Sequence, residues 1–149
     1  MKNALLDINQ IIQLLAEHKR IVANLYNNYY QQFPQENFWL ILADSKHKNH
    51  ELIKNLKVDA IQKMPDDSLF KSAALKIALD WVARLIQESR QHTLPKALYY
   101  SLDLEQSKIE KKYLDMLKAE RQIAEIMQLL DTESRNHIAI IKHELVRIY

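Results

Sequence analysis

One stretch of the sequence decides the fold: residues 95–117 read PKALYYSLDLEQSKIEKKYLDML. Apolar side chains recur in it every three to four residues, which is the spacing of an amphipathic helix. The proline at its start suits a first helical turn. We therefore predict a helix to about Leu117 that continues or restarts beyond that residue. Its apolar stripe is interrupted by Glu105, which stands between Leu102 and Ile109.

The same spacing predicts two long helices before this stretch. The first covers residues 7–32, with Asp7 as its N-cap and Gln10 completing a capping box. Pro34 ends the first helix and opens the second, which runs to about Leu56. The link between them is so short that the two helices must pack antiparallel.

Two more helices complete the pattern. The turn signal Pro65-Asp66-Asp67-Ser68 precedes a helix of about residues 69–90, and Thr93-Leu94-Pro95 marks the next helix start. Asp131-Thr132 offers a cap for the last helix, whose apolar face carries Ile138, Ile141, Leu145 and Ile148. The predicted fold is all-α: a four-helix bundle with a long crossover that carries an additional helix.

The amino-acid composition supports this fold class and excludes several kinds of functional site. The 149 residues include no glycine and no cysteine, which excludes glycine-rich phosphate loops, disulfides and thiol chemistry. We expect one domain, residues 1–149.

A net charge of +2 does not favour nucleic acid as a partner. No run of 18 apolar residues suggests a membrane span, and residues 1–15 do not resemble a signal peptide, so we expect a cytoplasmic protein.

Each of the four long predicted helices places polar residues on its apolar stripe near mid-length. Because these interruptions occur at comparable depth, we expect them to form one shared buried polar layer. Its predicted members are Lys19 on the first helix, Lys46 and Asn49 on the second, Glu105 on the third, and Ser134 and His137 on the fourth.

The order of the motifs resembles the ferritin-like superfamily, in particular its rubrerythrin-like branch. The resemblance covers nearly the whole chain. It rests on five short segments: Leu25-Tyr26 with Phe33-Pro34, Phe38-Trp39 with Leu42-Ala43, Ala78-Leu79-Asp80-Trp81 to Ile86, Ala97-Leu98 to Glu105 with Ile109 to Tyr113, and Asp131-Thr132 leading to His137-Ile138. It implies a bundle that is built around a di-iron centre in the polar layer.

The resemblance also implies that most ligands of this centre have been lost. The first-helix glutamate position falls on Lys19, and the second-helix glutamate and histidine fall on Lys46 and Asn49. Glu105 keeps the third-helix glutamate, while Ser134 and His137 stand where the family has glutamate and histidine. One carboxylate and one imidazole cannot hold two iron ions, so we expect no metal cofactor.

Two alternatives follow from the same residues. If the first two helices are shifted by a residue or two, Glu17 or His18 and the pair His47 and His50 turn inward. With Glu105 and His137 they would form a reduced site for iron, zinc or another divalent metal. Without metal, Lys19 and Lys46 would themselves supply the positive charge that a buried Glu105 needs.

For other polar and aromatic residues we predict ordinary structural roles. The tyrosines at helical spacing, among them Tyr26, are predicted to pack in the core. The basic stretch Lys108, Lys111, Lys112 and Lys118 is interspersed with Glu110, Asp115 and Glu120, which is typical of a solvated helix face.

The expected function is that of a structural or interaction module, without catalysis, acting as a homodimer. One alternative is a metal-binding rubrerythrin-like protein, and the other is a small-molecule-binding bundle that uses the vacated metal cavity. Neither a small-molecule ligand nor a partner can be identified from these residues.

Overall fold

The computed structural model describes residues 2–56, 68–116 and 121–148. Every regular element in these ranges is helical, so the predicted all-α class is confirmed for them. The α-helices are α1 (Lys2–Gln32), α2 (Phe38–Lys54), α3 (Ser68–Glu88), α4 (Leu94–Gln106), α5 (Ile109–Met116) and α6 (Arg121–Ile148). A short 3₁₀ helix, Ser89–Gln91, follows α3. The predicted turn residues Pro65, Asp66 and Asp67 lie outside the described ranges.

The first two helices differ from the prediction at their starts. Asp7 is not an N-cap, because α1 already begins at Lys2 and the alanine and leucines before Asp7 favour a helix. Pro34 does not open α2. It occupies the second position of a turn in which the N–H of Glu36 donates to the carbonyl of Phe33 (3.0 Å), a position that proline favours.

The third predicted helix is divided in two. Thr93 caps α4 as expected, since its hydroxyl accepts from the N–H of Lys96 (3.3 Å). The helix then ends at Gln106, because Ser107 adopts an extended ψ of 131°. A new helix, α5, begins at Ile109. The predicted continuous helix to Leu117 is therefore wrong.

The last helix is longer than predicted. Asp131 and Thr132 lie inside α6 rather than at its start. The hydroxyl of Thr132 donates to the carbonyl of Gln128, one turn earlier (3.0 Å), a bond that lets threonine sit within a helix.

Helix α1 packs along α2 and α3, while α4 and α5 pack against α6, which also contacts α2. The buried apolar side chains form two clusters. The first cluster contains Tyr26 and Tyr29 of α1, Trp39 and Leu42 of α2, Val82 of α3, Leu98 of α4 and Ile141 of α6. The second contains Ile11 and Leu15 of α1, Ile53 of α2, Leu75 of α3, Tyr113 of α5 and Ile123 of α6. The predicted polar residues lie between these two clusters along α1, α2 and α6, and Glu105 lies between the first-cluster residues of α4 and the second-cluster residues of α5.

Helix α3 packs against α1 with one face. Trp81 is half-buried and packs against the first cluster, whereas Ile77 on the same helix is 67% exposed. No described helix combines the length and apolar character needed to cross a membrane.

The position of Trp81 yields a stability prediction. Replacing Trp81 with Glu should cost about 2 kcal/mol, since it removes a large apolar side chain from the core edge, and should lower Tm by about 4–8 °C. The matched control Ile77→Glu should leave Tm nearly unchanged, because that side chain already faces solvent. Equal Tm values for both variants in calorimetry would contradict the packing of α3 on the bundle.

Candidate functional site

The polar layer brings together side chains from α1, α2, α4 and α6. Five of its six predicted members are buried, namely Lys19, Lys46, Asn49, Glu105 and His137. The exception, Ser134, is partly buried, and its hydroxyl donates to the backbone carbonyl of Glu105 (3.0 Å). This bond ties α6 to the last turn of α4.

Glu105 is the centre of the layer. Its Oε1 lies 3.0 Å from the Nζ of Lys46 and 2.9 Å from the Nδ1 of His137. Its Oε2 lies 2.9 Å from the same Nζ and accepts a hydrogen bond from the hydroxyl of Tyr26 (2.7 Å). A carboxylate only accepts, so the Nδ1 of His137 carries a hydrogen in this contact. Side chains from three other helices therefore meet on one carboxylate of α4.

The layer also contains a second carboxylate. The sequence pattern placed this carboxylate on a solvated helix face. Glu110 of α5 lies with its Oε2 3.0 Å from the Nζ of Lys19 and its Oε1 3.4 Å from the Nδ1 of His18. The break at Ser107 changes the helical phase, so Glu110 turns inward while Lys111 and Lys112 stay exposed. The serine between Gln106 and Lys108 was the only sequence signal for this break.

Tyr26 belongs both to the core and to the polar layer. It packs in the first cluster, as predicted, with its ring 5.9 Å from that of Trp39. Its hydroxyl, however, belongs to the polar layer through Glu105. Burial, followed by the nearby carboxylate of Glu105, raises the pKa of Tyr26 well above its ordinary value, so this hydroxyl stays a hydrogen-bond donor.

Burial alone would raise the pKa of the Glu105 carboxyl and lower that of the Lys46 ammonium. The attraction between the two groups outweighs burial in both. The pKa of Glu105 falls well below its usual range, with His137 and Lys19 contributing, and the pKa of Lys46 rises, helped by Glu110. Both groups are therefore charged at neutral pH, and the pair is a buried salt bridge.

The second pair, Lys19 and Glu110, differs from the first because the pKa of its lysine is lowered. Burial would raise the pKa of Glu110, but Lys19 and His18 hold it well below its usual range. Burial lowers the pKa of Lys19, and the neighbouring Lys46 adds to this effect, although Glu110 opposes it. The layer thus pairs each of its two carboxylates with one lysine.

The structure does not assemble the alternative metal site. His47 is exposed and pairs with the side chain of Asn27 (3.2 Å). His50 contacts the backbone carbonyl of Ala16 (2.8 Å), and Glu17 pairs with Arg20. None of these three side chains reaches Glu105 or His137. Over residues 2–56, 68–116 and 121–148, no group of three His, Cys, Asp or Glu side chains is placed to hold a metal ion.

A small cavity adjoins the layer. Its volume is about 60 Å³, and its walls include Lys19, Lys46, Glu105, Glu110 and Ser134 together with apolar side chains of α4, α5 and α6. Asn49 is 1% exposed, and its Oδ1 has no hydrogen-bond partner within the described part of the chain. The arrangement can hold fixed charges apart from water and can present a buried ammonium to a cavity.

Acid should destabilise the protein through Glu105. The unfolded chain takes up a proton on this residue near pH 4.5, whereas the folded chain does not because its pKa is lowered. Stability therefore falls as pH decreases below about 5, by about 2–3 kcal/mol for a salt-bridged carboxylate of this kind. Urea unfolding at a series of pH values should show this loss, and Glu105→Gln should show a shallower one.

The matched control is Asp103→Asn on the same helix. Its side chain is exposed, so its acid dependence should equal that of the wild type. Parallel curves for wild type and Glu105→Gln would contradict the lowered pKa of Glu105.

Comparison with known proteins gives no significant match to a family model, a curated protein or a solved structure. The resemblance to the ferritin-like superfamily therefore stays a prediction from the sequence.

Proposed function

We propose that this chain is a ferritin-like bundle of the rubrerythrin-like type in which an ion-pair network replaces the di-iron centre. In this proposal α1, α2, the α4–α5 pair and α6 are the four bundle helices, and α3 lies in the long crossover. The protein acts as a structural or interaction module, without catalysis, as a cytoplasmic homodimer. It needs neither metal nor nucleic acid.

One observation carries the proposal: the Lys46 ammonium lies within 3.0 Å of both oxygens of Glu105. The family's iron would use those same oxygens as ligands. A metal ion would have to displace the ammonium and would then face the second ammonium of Lys19. Two hard cations also need several carboxylates, and the layer supplies only Glu105 and Glu110. The residues present do not fit a di-iron centre.

A homodimer is proposed from the family resemblance, since bundles of this type pair through helix faces. Exposed apolar side chains such as Ile41 and Val146 offer contact area, but scattered residues of this kind are ordinary on soluble proteins. Light scattering of the purified protein measures the oligomeric state directly.

The second candidate function is a metal-binding protein with a reduced iron or zinc site. It is favoured by the direct contact of Glu105 with His137 (2.9 Å), which keeps two ligand types side by side. Such a site would require Lys46 to move away from Glu105.

Elemental mass spectrometry of the purified protein distinguishes the two candidates. The first predicts less than one tightly bound iron or zinc per chain, and the second predicts about one. The matched test is a variant that restores the family's ligands: Lys19→Glu, Lys46→Glu, Asn49→His and Ser134→Glu. We expect this variant, refolded with ferrous iron or cobalt, to bind two ions per chain. Stoichiometric metal in the wild type, or a folded variant that binds none, would contradict the proposal.

A further inference from the structure

Lys19 differs from Lys46 in how its hydrogen-bonding capacity is used. Both lysine residues are 6% exposed, and both border the same cavity. An ammonium has three N–H donors. Lys46 directs its donors at both oxygens of Glu105, whereas Lys19 contacts one carboxylate oxygen, that of Glu110, among the described residues. Because the Lys19 ammonium borders the cavity, its remaining donors are open to an oxygen atom there.

The carboxylate of Glu105 does not occupy these donors of Lys19, because its oxygens already accept from Tyr26, Lys46 and His137. A volume of about 60 Å³ accommodates about four water-sized groups. This is the size of a small molecular ion rather than of an organic cofactor.

The cavity is connected to the surface. Five of its lining residues, among them Ser107, Lys111 and Ser134, also line a groove of about 460 Å³ where the α4–α5 break faces α6. The groove adds Lys108 and Arg135, neither of which forms an ion pair in the described ranges. A small solute can therefore approach the cavity from this groove.

Charge along this route favours anions. The cationic side chains of groove and cavity are Lys19, Lys46, Lys108, Lys111 and Arg135, whereas the carboxylates are Glu105, Glu110 and Asp131. Each carboxylate already has a cationic partner, since Asp131 lies 4.0 Å from Lys111. The unmatched charge is positive and lies at the entrance, where it raises the local concentration of anions.

We propose that this cavity binds a small oxyanion, of the phosphate or carboxylate type, with an oxygen that accepts from the Nζ of Lys19. Lys111, which lines both the cavity and the groove, adds positive charge at the entrance together with Lys108 and Arg135. The site depends on the polar layer and its cavity, but not on the ferritin-like relationship.

The test is titration calorimetry, with thermal melts, using inorganic phosphate, formate and chloride at equal ionic strength. Phosphate or formate should raise Tm in a saturable way, and chloride should not. The oxyanion that binds with the higher affinity identifies the ligand type. Equal effects of all three salts would mean ordinary ionic screening and would overturn the proposal.

Variants locate the site. Lys19→Gln should weaken oxyanion affinity by about tenfold or more, as expected for losing a charged hydrogen bond. The exposed Lys111→Gln, which should fold normally, should weaken it severalfold. Lys112→Gln carries the same charge change on α5 but does not line the cavity, so it should leave affinity unchanged. Equal affinities for Lys111→Gln and Lys112→Gln would overturn the proposal even if Lys19→Gln fails to fold.

Discussion

The structure depends on the buried salt bridge between Lys46 of α2 and Glu105 of α4. Two charges removed from water need each other, because an unpaired buried charge costs several kcal/mol. Tyr26 of α1 and His137 of α6 bind the same carboxylate. The pairing therefore constrains four helices at once: only a register that places all three side chains on Glu105 satisfies the charge. We interpret this ion pair as specifying the arrangement of the helices rather than as adding net stability.

The polar layer separates two apolar clusters that would otherwise form one core. An apolar layer at the same depth would fill the bundle equally well, so the charges serve another purpose than packing. We interpret them as the internal replacement of a metal centre, in which lysine ammonium groups supply the positive charge. A cavity adjoins the layer, and the ammonium of Lys19 borders it.

The helices and the polar layer could be predicted because apolar periodicity reports which side of a helix is buried. A lysine on such a stripe, as at positions 19 and 46, is therefore visible in the sequence. Glu110 could not be predicted, since the break that turns it inward depends on the backbone of a single residue, Ser107. The cap predicted at Asp131 failed for a related reason: residues that favour helix ends are also tolerated inside a helix that packs along its whole length.

A double-mutant cycle on Glu105→Leu and Lys46→Met tests the central claim most directly. Each single substitution leaves one buried charge unpaired and should cost about 3–5 kcal/mol. The double variant replaces the pair with apolar side chains of similar volume and should recover most of that loss in urea unfolding. A coupling free energy below about 0.5 kcal/mol, as found for independent sites, would contradict the salt bridge on which this account depends.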